Sequence, residues 1–160
     1  MAVDIFLKLD GIKGEALDAT HKNEIDILSW SWGMTQSGTT HVGGGGGGGK
    51  VAVQDLHVTK YVDKSSPTLM LFCANGKHIA SGQLTVRKAG EHPLEYLKVE
   101  LKEILVTSLT TGGSGSEDRF TENVSLNFAQ FHTTYSEQNP DGSKGASPDV
   151  KWHIAQNKEA

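Results

Sequence analysis

The chain has one cysteine, Cys73, among 160 residues, so it can build neither an internal disulfide framework nor a multi-cysteine zinc site. It has no basic excess either. Lysine and arginine number 15 against 19 aspartates and glutamates, a formal net charge of −4. A mildly acidic chain grips neither nucleic acid nor an anionic membrane surface well. Nothing approaches the run of about 18 apolar residues that a membrane helix needs. The N-terminus, Met1 to Asp10, lacks the basic start and unbroken apolar stretch of a signal peptide. The expectation is a soluble protein made in the cytoplasm, leaving the cell, if at all, by a route other than general secretion.

Recognisable catalytic patterns are also missing. No two of the seven histidines stand at i, i+2 or i, i+4, and there is no H-E-x-x-H. No serine sits in G-x-S-x-G. Cys73 lies among Leu69, Met70, Leu71 and Phe72, the wrong setting for a low-pKa thiol, and reads as a buried structural residue. Glu95, Glu100, Glu117 and Asp118 read as solvated charges. The residues therefore point to no catalytic group, cofactor or metal.

What the chain does have is strand pattern. Val3, Ile5, Leu7 and Leu9 alternate with Asp4, Lys8 and Asp10. Further strands are predicted over 25–34, 51–62, 79–88, 94–109, 119–135 and 150–154, with turn clusters at 112–116 and 139–143. One short helix is predicted over 66–76. Ser66 serves as its cap, Pro67 suits its first turn and Gly76 its left-handed stop. Its apolar circumference implies cover on more than one side, at the end or flank of a barrel.

In several strands the apolar residues change parity midway. Ile25 and Ile27 give way to Trp30, Trp32 and Met34. Val51 and Val53 give way to Leu56 and Val58. Leu97, Val99 and Leu101 give way to Ile104 and Val106, and Val124, Leu126 and Phe128 to Phe131 and Tyr135. A flat two-faced strand keeps one parity. Bulges or bends of a small closed antiparallel barrel would produce the switch, and so would burial of the opposite face in a subunit interface. With Trp30 and Trp32 on the inner face, Ser29, Ser31 and Gly33 form a smooth polar outer face.

Glycine is abundant, at 19 residues, or about 12% against a usual ~7%. Seven form one run, Gly43 to Gly49. Gly44 to Lys50 fits G-x-x-x-x-G-K, but Val51 stands where magnesium needs Ser or Thr, and a strand follows where the phosphate motif opens a helix. The run reads as a long surface loop, about 36–50, either flexible throughout or ordered only against a partner.

The motifs in order resemble one family along the whole chain. They include Glu24-Ile25-Asp26-Ile27-Leu28-Ser29-Trp30-Ser31-Trp32-Gly33, the glycine-rich loop, Val58-Thr59-Lys60-Tyr61-Val62-Asp63-Lys64-Ser65-Ser66-Pro67, Leu84-Thr85-Val86-Arg87-Lys88-Ala89-Gly90 and Glu122-Asn123-Val124-Ser125-Leu126-Asn127-Phe128-Ala129. They are similar to Hcp, the haemolysin-coregulated proteins of the bacterial type VI secretion system. The resemblance implies a single β-barrel domain over 1–160 with one flanking helix, without catalysis and without a fused effector domain. It implies homo-hexameric rings that stack into a hollow tube, a contractile sheath around it, a spike at its tip and effectors in its lumen. It implies cytoplasmic assembly, then secretion outside or into target cells, with no nucleic acid and no membrane insertion. On this reading Ser31 faces the lumen. The segment His41, Val42, Gly43, Gly44, Gly45, Gly46, Gly47, Gly48, Gly49, Lys50 is the candidate ring-stacking or subunit-contact loop. The competing reading of the residues is a solitary ligand-binding β-barrel with a glycine lid, followed by an enzyme with a scattered site.

Overall fold

A computed structural model describes residues 3–38, 48–90 and 93–160. Its elements are β1 (Val3–Leu9), β2 (Ile25–Asp26), β3 (Ser29–Ser31), β4 (Met34–Gly38), β5 (Gly48–Val53), β6 (Leu56–Tyr61), α1 (Ser66–Asn75), β7 (Ile79–Lys88), β8 (Leu94–Gly112), β9 (Thr121–Tyr135), β10 (Asp149–His153) and β11 (Lys158–Glu159). The protein is mainly β with one helix among the described residues, and each recorded strand pair is antiparallel.

The nine-stranded sheet runs β11-β10-β9-β8-β7-β1-β2, with β6 pairing both β9 and β3. Residues 25–31 run from β2, beside β1, to β3, beside β6. Ile25 and Asp26 pair with β1, and Ile27 N–H donates to Ile5 O. Leu28 N–H then donates to Thr59 O, and Ser29–Ser31 pair with β6.

The parity switches have local causes. In β8, Glu103 adopts a left-handed φ of 54°, which turns the strand over between buried Leu101 and buried Ile104. Opposite it, β9 turns over between Phe131 and Phe128. A second shift at Thr107 is a bulge. On β7, Gly82 allows the bend. A Cβ there would lie 2.8 Å from both Leu9 and Ile104 side chains. The predicted 25–34 and 51–62 strands are broken rather than bulged, at residues 27–28 and 32–33 and at Gln54–Asp55. The change of face accompanies a change of partner strand.

Two helix expectations need correction. Ser66 is the first helical residue rather than the cap; Ser65 stands at the cap and makes no side-chain capping bond. Cover is also one-sided. Leu69 is buried and Phe72 packs on the core, but Met70 and Leu71 stay exposed. Gly76 does close the helix at φ 70°, its N–H donating to Phe72 O. Cys73 is half-buried and free. No described helix is long and apolar enough to cross a membrane.

Candidate functional site: a neutral polar wall, a polar strap and a strand arm

Ser31 lies on one face of the four-stranded patch made by β3, β6, the first half of β9 and the second half of β8. Backbone register sets its neighbours. Ser31, His57, Ser125 and Ser108 form one cross-strand row, and Ser29, Thr59, Asn123 and Thr110 the next. No acid, lysine, arginine or aliphatic side chain occurs in either row. Ser31, Ser29, His57, Asn123, Ser108 and Thr110 are exposed, whereas Ser125 is buried. Five of the eight side chains hydrogen-bond across the strands. Ser108 Oγ donates to Ser125 Oγ at 2.7 Å, His57 Nδ1 lies 2.8 Å from Ser125 Oγ, and Thr59 Oγ1 donates to Asn123 Oδ1 at 2.7 Å. The result is a wettable wall of polar side chains.

The strands carry the opposite chemistry on their other face. Val58 and Val124 are buried, with Trp30 and Leu109 packed against the core. Trp32 meets Phe131 edge-on at 4.9 Å and donates through Nε1 to Gln54 O. This agrees with the indoles pointing inward and Ser31 outward. Sequence reasoning reached only Ser31 and its own strand; the other rows needed the register.

Behind the wall lies a fully buried ion pair, Lys60 with Glu122, which are cross-strand neighbours. Ser66 Oγ donates to Glu122 at 2.5 Å and accepts from Lys60 Nζ at 3.1 Å and from Asp63 N–H at 3.0 Å. The first turn of α1 has no acid of its own. Glu122 therefore places the negative charge that a helix N-terminus favours. Neither the burial of Lys60 nor this docking was legible in the sequence.

A second polar cluster pins the irregular strap 10–24 to the sheet. Arg87 donates to Asp18 from both terminal nitrogens, at 3.0 and 2.6 Å, and to Asp4 at 3.0 Å. His21 stacks on Phe6 at 4.5 Å, with its ring nitrogens 2.8 Å from Glu24 and 2.5 Å from Glu95. Glu95, read from the sequence as solvated, is a partner in this cluster instead. Arg87 hydrogen bonds hold the Asp18 carboxyl well below the usual range. Burial raises the Glu95 carboxyl, but the His21 and Lys98 hydrogen bonds outweigh it, and the net direction is down. Depressed carboxylates contribute stability at neutral pH that is lost as pH falls through their folded-state values. The expected result is that strap protection, read by amide exchange at residues 14–24, declines below about pH 4. In Arg87→Met it should already be weak at pH 7 and change less on acidification.

The third feature is the arm. Among the described residues, β4 and β5 pair only with each other, and they are largely exposed. Gly48, Gly49 and Lys50, expected within the loop, are strand residues. So are Gln36, Ser37 and Gly38. Gly49 passes so close to Ser37 that a Cβ would lie 2.0 Å from its Oγ. His41, Val42 and Gly43 to Gly47 lie outside the described residues. At the arm's base, Met34, Val51, Val53, Phe131, Val150 and Trp152 line an apolar cleft of about 230 Å³.

Comparison with known proteins settles the family. Residues 6–135 match the model described as type VI secretion system effector, Hcp. Protein hcp1 of Pseudomonas aeruginosa is 59% identical over 163 aligned positions, covering both chains completely. The crystal structure of Hcp1 from Salmonella typhimurium superposes with a TM-score of 0.84 at 41% identity, with full coverage of both chains. A type VI secretion system effector from Yersinia pestis gives 0.78 at 34% identity, over 94% of this chain and all of that one. The chain belongs to the Hcp family of type VI secretion proteins. Its role is structural, as a secretion-tube protein that forms rings, rather than enzymatic.

Proposed function

We propose that six copies of this chain form a ring whose bore is the wall around Ser31, and that rings stack into the inner tube of a type VI secretion system. The observation that carries the reading is the wall itself. A conduit surface should be wet and weakly adhesive, and these two rows are polar and carry no carboxylate, lysine or arginine. The open strand edges support it too. Among the described residues, β8 pairs only with β9 from Leu105 to Gly112, and β3 only with β6. Unpaired edges at opposite sides suit head-to-tail contacts that close by rotation. Residues 25–31, bonded to β1 at one end and β6 at the other, support closure of the subunit into a barrel.

The exposed arm, with its apolar base and the glycine segment His41–Lys50, serves as the contact to neighbouring subunits or rings. The whole chain works as one unit, assembled in the cytoplasm, with the spike, the sheath and lumenal effectors as partners.

Native mass spectrometry with negative-stain imaging tests the ring: six chain masses and annular particles are expected, and a monomer at high concentration sinks the reading. Ser31→Lys tests the bore. Ring mass should stay unchanged while the amount of effector co-purifying from the parent bacterium drops at least about tenfold. Loss of the ring would place Ser31 in an interface instead. Deleting Gly43 to Gly49 should impair tube assembly and secretion; unimpaired assembly removes the loop's contact role.

A further inference from the structure

The wall has two unlike ends. At one end of β6, the Asp55 carboxylate receives hydrogen bonds from Thr107 Oγ1 at 2.7 Å and Asn127 Nδ2 at 2.9 Å. At the other end, roughly 20 Å further along the strand, the Arg119 guanidinium lies 3.9 Å from the centre of the Tyr61 ring. Neither charge has an ion-pair partner among the described residues. Glu117 and Asp118 precede Arg119 in its turn, and Asp26 feels its charge, but none forms a recorded ion pair with it. Beside Arg119, Phe120 is 50% exposed and Val62 39% exposed, an apolar shoulder joined by the hydrogen bond from Val62 N–H to Phe120 O.

We infer that Asp55 of one copy pairs with Arg119 of a second copy in the next ring, with Phe120 and Val62 covered in the same contact. The inference rests on the tube reading and adds the chemistry of stacking to it. Head-to-tail stacking along the wall strands brings its unlike ends together, and those ends carry opposite, unpaired charges. Both groups are pre-oriented, the carboxylate by two donors and the guanidinium by the aromatic face, so little freedom is lost on pairing. One exposed ion pair contributes little. Repeated around a ring, the pairs act together. Such a joint is specific, weakened by salt and able to come apart.

The test uses Asp55→Lys, Arg119→Glu and the double exchange D55K/R119E. Native mass reports the ring, and sedimentation across a concentration series reports stacking. Each single variant should keep the ring mass and need at least about tenfold more protein to stack. The double exchange should return to within about threefold of the parent. Single variants that stack like the parent overturn the pairing, as does a double variant no better than the singles. A parent protein that never forms rings overturns the tube reading instead. If charge reversal disrupts the ring, cysteine pairing decides. With Cys73→Ser, Asp55→Cys and Arg119→Cys combined, mild oxidation should link rings into ladders, and rings that stay unlinked overturn the inference.

Discussion

Lys60→Met should lower stability by about 3–5 kcal/mol, the usual cost of leaving one member of a buried pair uncompensated. For a chain of this size that is a fall in Tm on the order of 10 °C. Lys60 and Glu122 are both fully buried, and Glu122 already has an oxygen, Oε2, with no hydrogen-bond partner among the described residues. Removing the ammonium leaves the carboxylate with Ser66 alone, at the N-terminus of α1. The double variant K60M/E122L should recover part of the loss, because apolar residues can replace a buried pair at little cost, while Asp63, 3.1 Å from Lys60 Nζ in the parent, still loses its partner. Urea unfolding of the three proteins at one protein concentration checks this. A double variant as unstable as the single would mean that shape, rather than charge, sets the penalty.

Gly14→Ala should cost about 2–3 kcal/mol, at the upper end for overpacking. A Cβ on Gly14 would lie 2.4 Å from Glu24 O and 2.7 Å from Ile25 Cα, and backbone cannot rotate out of the way. The two arms of the strap must part, giving up the bond from Gly14 N–H to Asn23 O and the pairing of Ala16 with Asn23 and Glu24. That would carry Asp18 and His21 away from Arg87 and Glu95. Limited trypsin digestion reads the outcome: cleavage after Lys13 or Lys22 should accelerate in the variant while the sheet stays resistant. An unchanged digestion pattern would show that the strap accommodates the methyl group by local adjustment.

Much of the fold could be read directly. The alternation in Val3–Leu9 announced β1, the Gly76 stop ended the helix where the structure ends it, and Trp30-Ser31-Trp32 sorted correctly into an inward and an outward face. The parity switches were also legible, but their causes were not. At Glu103 the cause is a backbone turnover shared by β8 and β9; at Gln54–Asp55 it is a strand ending in one sheet and resuming in another. Periodicity records which residues are buried, and both events leave the same trace in it. The site was legible at Ser31 alone. His57, Ser108, Asn123 and Ser125 are unremarkable polar residues until strand register sets them side by side.

By itself the sequence determined the β class, the single short helix, the absence of recognisable catalytic motifs and, through ordered motifs, the family. These follow from local chemistry: side-chain alternation, turn residues and composition act over a few positions and survive without knowledge of partners. The tertiary structure alone decided which strands are neighbours. With that it decided the neutral wall, the burial of Lys60 against Glu122, the strap held by Arg87 and His21, and the opposite charges at the two ends of the wall. Each depends on residues as many as 83 positions apart, as in Asp4 and Arg87. Contacts at that separation arise from pairing register and sheet bending, which no local pattern encodes.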